Sequence, residues 1–323
     1  MERNDGVESL SIICPIYNEE DVLPLLIPRL VGVLDQIAMP CEVVFVNDGS
    51  RDKSLLMLRD IAAKYPWARV VSLSRNFGHQ TAVSAGLSHA SGQAVVVMDA
   101  DLQDPPELIS RMIELWRADN QVVYCVRQKR KEGLFKRFCY AGFYRLMRAM
   151  VDMDIPLDAG DFCLMDRRVV DLICAMPERN RFIRGLRTWV GFRQVALEYE
   201  REARQAGEPK YTFRRLIKLA TDGIFSFSYI PLKLSGTLGL VVAACSVLYA
   251  VKLLLWSIFY HDTIPGFATL AVGMLMFGSI QLFTLYFIGE YLGRIYDEVK
   301  QRPGFIVQER IGFAATQGSD TKI

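Results

Sequence analysis

Residues 95–104 read Val95-Val96-Val97-Met98-Asp99-Ala100-Asp101-Leu102-Gln103-Asp104. Four apolar residues in a row predict a strand buried on both faces, the habit of a parallel sheet. The strand delivers two carboxylates, Asp99 and Asp101, at its carboxyl end, where open α/β sheets bind their ligands. Residues two apart on an extended chain point to the same side. Two hard oxygen donors on one side suit Mg²⁺ or Mn²⁺ together with substrate phosphates. A solvated acidic turn, helped by Asp104-Pro105-Pro106, is the competing reading. The spacing does not choose between them, so the neighbouring segments must.

Upstream and downstream, strand-like runs at 9–14, 42–46, 69–73, 94–98 and 122–126 alternate with helix-like segments such as 20–37 and 53–64. That alternation predicts an α/β fold, a mostly parallel sheet with helices on both faces. The dinucleotide fingerprint G-x-G-x-x-G is absent. The first strand runs into Pro15-Ile16-Tyr17-Asn18-Glu19-Glu20, where Asn18 is placed to cap the following helix. The second runs into Asn47-Asp48-Gly49-Ser50-Arg51-Asp52, where Gly49 permits a tight turn and Ser50 or Asp52 can cap. Singly these are turns and caps. Together, three strand ends carry acids: Glu19, Asp48, then Asp99 with Asp101. Such a cluster repels itself unless a cation or hydrogen-bond donors sit there. A metal with a nucleotide answers that need.

The chain of 323 residues has room for one large or two smaller domains, and its net charge of +2 gives no argument for a nucleic-acid partner. The seven cysteines are an odd number without a C-x-x-C pair, which fits reduced thiols facing the cytosol. The first residues lack an apolar leader, so no secretory signal is expected. Composition shifts near residue 233. Residues 234–251 carry no charge, the apolar stretch continues past Lys252 to Tyr260, and 263–289 are again uncharged. Each stretch of about 27 residues is about 40 Å as a helix, enough to span a bilayer with tilt. Two buried core helices are the alternative. Arg214, Arg215, Lys218 and Lys233 precede the first run; Arg294, Lys300 and Arg302 follow the second. The positive-inside rule then puts both termini in the cytoplasm. The apolar positions from Phe213 to Phe227 follow a helical spacing with basic residues between, the pattern of a helix lying in a membrane surface or packed on the preceding domain.

The strings Pro15-Ile16-Tyr17-Asn18-Glu19, Asn47-Asp48-Gly49-Ser50-Arg51-Asp52, Ser74-Arg75-Asn76-Phe77-Gly78 and Asp99-Ala100-Asp101-Leu102-Gln103-Asp104 resemble the family 2 glycosyltransferases of GT-A (Rossmann-like) fold. More narrowly, they resemble the polyprenyl-phosphate glycosyltransferases, the group of dolichol-phosphate mannose synthase, and most of all the bactoprenol (undecaprenyl-phosphate) glucosyltransferases. Gly160-Asp161-Phe162-Cys163-Leu164-Met165, Trp189-Val190-Gly191 and Gly289-Glu290-Tyr291-Leu292-Gly293-Arg294 extend the likeness over residues 9–313. The resemblance implies a cytoplasmic catalytic domain at 1–210, an interface segment at 211–233, two membrane helices within 234–290, and a cytoplasmic tail at 291–323 whose residues 304–308 can add a strand. It also implies a bacterial inner-membrane location and a possible homo-oligomer.

Residue roles follow from the same resemblance. Asp48 matches the acid that contacts the nucleotide base, and Pro15, Tyr17 and Glu19 match the cradle of that nucleotide; Arg75 joins them. Asp99, Asp101 and Gln103 match the metal and diphosphate site, for Mg²⁺ or Mn²⁺. Arg127, Arg130 and Arg137 lie in the densest basic stretch and match the lipid-phosphate site, for which paired arginines are suited. A solvated basic face is the alternative there. Asp161 matches an acid near the transfer centre, the candidate base. A phosphate acceptor is already largely a dianion at neutral pH, however, so Asp161 has the alternative tasks of orienting a sugar hydroxyl or holding an arginine. Arg201, Arg204 and Lys210 match donor-diphosphate contacts, although Pro209 stands where the family has serine.

The expected reaction is inverting transfer from a nucleotide sugar, UDP-glucose first, to polyprenyl phosphate for surface glycan modification. Other donors such as GDP-mannose or a UDP-linked modified arabinose use the same motifs. A processive polysaccharide synthase would carry Q-x-x-R-W, which is absent. A membrane-anchored nucleotide-sugar-binding scaffold is the non-enzymatic alternative.

Overall fold

The computed structural model describes residues 7–127, 159–179, 181–199, 230–260 and 266–313. The chain divides into two units. One comprises Met1–Arg148, Met153–Leu216 and Arg302–Ile323; the other comprises Ala149–Asp152 and Ile217–Gln301. The tail after residue 302 therefore belongs with the first unit.

The first unit is built from β1 (Leu10–Ile16), α1 (Leu23–Leu34), β2 (Cys41–Asn47), α2 (Ser54–Lys64), β3 (Ala68–Leu73), α3 (His79–His89), β4 (Ala94–Val97), α4 (Leu108–Arg117), β5 (Val122–Arg127), β6 (Ala159–Asp166), α5 (Arg167–Ala175), α6 (Ile183–Trp189), β7 (Gln194–Tyr199) and β8 (Val307–Ile311). One sheet of eight strands runs in the order β7-β5-β6-β4-β1-β2-β3-β8. β1 is parallel to β2 and β4, and β2 to β3. Helices cover both faces, so the central strands are apolar throughout: Ile12, Ile13, Val43, Val44, Phe45, Val46, Val70, Val71, Val95 and Val96 are fully buried.

The sheet is more mixed than the sequence predicts. β6 is wedged antiparallel between β4 and β5, and β8 runs antiparallel to β3. β5 runs parallel to β7 on its other side. Residues 159–161 open β6 with Ala, Gly and Asp, so its apolar run is too short to announce a buried strand.

Two glycines bring the carboxyl edge of the sheet together. A Cβ on Gly86 of α3 would stand 2.3 Å from Ile13 Cγ2, so α3 lies close against β1 only because that position is bare. Gly49, at φ +64°, would place a Cβ 2.4 Å from the carbonyl carbon of Arg75. That φ suits glycine, and the contact brings the loop after β2 against the loop after β3.

The second unit holds α7 (Ile230–Tyr260, 31 residues) and α8 (Phe267–Val299, 33 residues), which pack on each other. Among the described residues, no helix is long and apolar enough to cross a membrane. The spans expected within 234–290 thus rest on the uncharged sequence runs. Large apolar side chains stand exposed on both helices, among them Val247, Leu248, Phe259, Leu270, Met274 and Leu282.

Candidate active site

The carboxyl ends of β1, β2 and β4 share one edge, because Ile16 registers with Asn47 and Ile13 with Val97. The two loops leaving β1 and β2 are stitched to each other. The Asn18 amide donates to Ser50 Oγ (3.1 Å) and the Arg51 amide donates to Asn18 Oδ1 (2.8 Å). The Glu19 amide donates to Ser54 Oγ (2.9 Å), the Glu20 amide to Asp52 Oδ2 (3.1 Å), and the Lys53 amide to Glu20 Oε2 (3.0 Å). Asn18, at φ +53°, therefore caps the neighbouring loop rather than α1, whose N-cap is Val22 without a side-chain bond. Burial alone would raise the Asp52 pKa, but hydrogen bonds from Ser54 and the Glu20 amide hold it below the usual carboxylate range.

Asp48 is buried, and its two oxygens accept the amides of Phe77 (2.7 Å) and Gly78 (3.0 Å). It thereby fixes the loop between β3 and α3. In that loop the exposed Arg75 guanidinium stacks 4.0 Å over the Phe77 ring. The carboxylate matched to the base in sequence is thus spent on main-chain amides of that loop.

Pro15, Tyr17 and Glu19 follow along β1 and its loop, part-buried at the same edge. The fully buried Cys14 thiol reports how the acids converge. Burial raises its pKa, and Asp99, Glu19 and Asp101 push it the same way. Beyond β4 the backbone turns sharply at Leu102, which holds φ +57° with its side chain fully buried. An αL conformation at a branched residue is strained and persists only where packing enforces it. Here it folds the Gln103 amide back onto Asp101 Oδ1 (3.1 Å). Asp104 accepts a hydrogen bond from the buried Tyr199 hydroxyl of β7.

β6 enters this edge from the opposite direction. Val97 registers with Cys163, so continuing the ladder two residues brings Asp161 beside Asp99. Arg184 of α6 grips Asp161 with Nε to Oδ1 (2.7 Å) and Nη2 to Oδ2 (3.1 Å). Gln80 Nε2 reaches the same carboxylate at 3.5 Å, and its Oε1 accepts the Ile183 amide (3.0 Å) at the start of α6. His79 Nε2 lies 3.6 Å from Asp99 Oδ1 and 3.4 Å from Asp161 Oδ2.

The electrostatics separate the two acids. Burial would raise Asp161, yet Arg184 and His79 hold it well below the usual carboxylate range. Burial raises Asp99 to about 6 against the pull of His79, with Asp161, Asp104 and Asp101 adding to the rise. Burial would lower His79, but Asp99 and Asp161 outweigh it and raise the imidazole to about 9. Surplus negative charge on hard oxygen donors fits a divalent cation at Asp99 and Asp101 by charge and donor type. Among the described residues, however, no group of three or more His, Cys, Asp or Glu side chains is set to hold a metal.

Arg127 closes β5 opposite Tyr199 of β7. Arg130, Arg137, Arg201, Arg204 and Lys210 lie outside the described residues. Sequence reasoning missed His79, Gln80 and Arg184. The first two directly follow the quoted Ser74-to-Gly78 string, and Arg184 sits in the Arg181-Phe182-Ile183-Arg184 segment that the sequence reading passed over.

Residues 11–173 match the family model described as "Glycosyl transferase family 2". The chain belongs to glycosyl transferase family 2. It is 50% identical over 303 residues to the "Uncharacterized glycosyltransferase YkcC" of Bacillus subtilis (strain 168), covering 94% of each chain. It is 38% identical over 300 residues to the "Prophage bactoprenol glucosyl transferase homolog" of Escherichia coli (strain K12), covering 93% of this chain and 98% of the relative. Over 301 residues it is 38% identical to the "Bactoprenol glucosyl transferase" of Shigella phage SfII, covering 93% of this chain and 97% of the relative. The strand-edge carboxylates described above are thus those of a glycosyltransferase.

Proposed function

We propose that this glycosyltransferase moves a sugar from a nucleotide sugar, UDP-glucose first, to a polyprenyl phosphate such as undecaprenyl phosphate at the cytoplasmic face of a bacterial inner membrane. One observation carries the acceptor class. Asp161, which the resemblance puts near the transfer centre, is held by Arg184 with its pKa well below the usual range. A carboxylate so far below neutral has little drive to take a hydroxyl proton. An acceptor that brings its own nucleophile fits such a site, and a phosphate monoester with a second pKa of about 6 is mostly a dianion at neutral pH. The relatives named bactoprenol glucosyl transferase support the same acceptor.

In this reading the stitched loops after β1 and β2 hold the nucleotide, with Asp48 fixing the wall formed by residues 77 and 78. Asp99, Asp101 and Gln103 hold Mg²⁺ or Mn²⁺, which when bound neutralises charge on the departing nucleoside diphosphate. Arg201, Arg204 and Lys210 add positive charge to that diphosphate. Arg127, Arg130 and Arg137 hold the attacking lipid phosphate. In-line attack inverts the anomeric centre, and much of the rate comes from positioning two phosphorylated substrates. A membrane hairpin within 234–290 rests on the uncharged sequence runs, with the interface segment 211–233 before it. GDP-mannose and a UDP-linked modified arabinose are alternative donors, and a homo-oligomer is compatible with this arrangement.

The test offers the full chain, in lipid, a panel of UDP- and GDP-sugars with undecaprenyl phosphate and Mn²⁺ or Mg²⁺, and follows lipid-linked sugar. Transfer from one donor is expected, and Asp101→Ala should abolish it. Absence of transfer from every donor by folded protein overturns the reading.

A further inference from the structure

We propose that His79 is the positioning residue that holds the donor-side and acceptor-side carboxylates of this site at a fixed separation. The inference rests on the polyprenyl-phosphate reading above for its substrates and on the described geometry for its content. Asp99 ends the donor side, at the mouth of β4. Asp161 opens β6, which runs the other way. The two acids therefore meet across adjacent strands, and like charges placed opposite each other on a sheet repel. A single atom, His79 Nε2, stands between them, 3.6 Å from one and 3.4 Å from the other. A proton on Nε2, present in one neutral tautomer and in the imidazolium alike, suffices for this role.

His79 is itself held from the donor side. It is the first residue of α3, directly after Gly78, whose φ of +97° turns the chain and whose amide is bound by Asp48. Gly86 lets α3 press against β1 and so fixes the height of the helix over the sheet. The next residue, Gln80, ties Asp161 to the start of α6. The first turn of α3 thus touches the nucleotide-side loop through Asp48, the diphosphate-side acid Asp99, and the acceptor-side pair Asp161–Arg184. No other described side chain stands within ion-pair distance of both Asp99 and Asp161.

A positioning role has a signature that a structural role lacks. His79→Ala should leave the affinity for UDP close to wild type, because the donor loops are stitched without His79, while the uncompensated Asp99–Asp161 pair lowers the melting temperature. Turnover at saturating UDP-glucose and undecaprenyl phosphate should fall about 100-fold, the cost of misplacing reacting groups by roughly 1 Å. His79→Gln, whose Nε2 reaches a similar place, should recover most of that loss. The measurements are kcat and KM for both substrates, UDP binding by calorimetry, and thermal melts, all on the full chain. Wild-type turnover in His79→Ala overturns the proposal. So does a loss accompanied by an equal loss of UDP affinity that His79→Gln fails to restore. If the wild-type protein transfers from no donor, it is the polyprenyl-phosphate reading that fails; if wild type transfers and His79→Ala transfers equally, it is this inference alone.

Discussion

The two halves of the catalytic edge use their carboxylates in different ways. On the β1–β2–β3 side, Asp48, Asp52 and Glu20 accept main-chain amides, so these acids shape loops. On the β6 side, Asp161 is held by the side chains of Arg184, Gln80 and His79, so that acid organises charge. A nucleotide needs a rigid wall with donors at set places, and backbone atoms supply one at little conformational cost. An attacking phosphate needs a tuned field, and charged side chains supply that. The division teaches that an acid at a strand end is not by itself a ligand, since Asp48, with Asp52 and Glu20 in the adjoining loops, is scaffolding.

Substitutions can break or sharpen that contrast. The largest effect is expected from Arg184→Met, which removes two of the bonds on Asp161. Turnover should fall about 100-fold while UDP affinity stays near wild type, as read by transfer kinetics and calorimetry. Asp48→Ala attacks the other half. Two part-buried amides lose their acceptor, costing about 2 kcal/mol in a denaturant melt and weakening UDP binding about tenfold. If instead Asp48→Ala lowered only kcat, the division between the halves would be wrong.

Asp166 asks whether charge matters anywhere on the β6 side or only at its mouth. This acid, at the far end of β6, accepts from the Arg168 amide, Arg168 Nε and Trp116 Nε1. Burial raises its pKa, but these hydrogen bonds win and hold it below the usual value. Asp166→Asn should cost about 1–2 kcal/mol at neutral pH and leave turnover intact. A depressed carboxyl stabilises above the unfolded pKa of about 3.9 and loses that contribution as pH falls through its folded value. The stability gap between variant and wild type should therefore be widest at neutral pH and close in acid. The smallest effect belongs to Asn18→Ala, about 1 kcal/mol for one stitch between the loops, with turnover unchanged at saturating donor.

Much of the donor half was legible in the sequence, because parallel strands buried on both faces advertise themselves as apolar runs and their acids follow at once. Asp48, Asp99 and Asp101 could be placed at the carboxyl edge of the sheet that way. The residues tying the halves together were not. His79 lies 20 positions from Asp99 and, like Gln80, meets Asp161 only because β6 folds back antiparallel into the middle of the sheet. A strand opening Ala159-Gly160-Asp161 gives no periodic signal of that turn. Asn18 looked like a helix cap and is instead a clamp on the next loop, since short polar side chains serve either end equally well by composition. Arg184 shares its short helix with Arg187, so nothing in the sequence set it apart, and no partner could be assigned to it without β6.

β8 has a consequence for the making of the protein. It pairs with β3 and is pinned there by Arg59 to Glu309, residues 250 positions apart in the chain. The strand that completes the sheet is synthesised after both long helices, so the growing chain must carry an open edge at β3 while the entire second unit emerges. Closure of so long a loop is slow, and an uncovered strand edge invites pairing with other chains. A ribosome that stops before residue 307 leaves a nearly finished enzyme with the β3 edge uncovered.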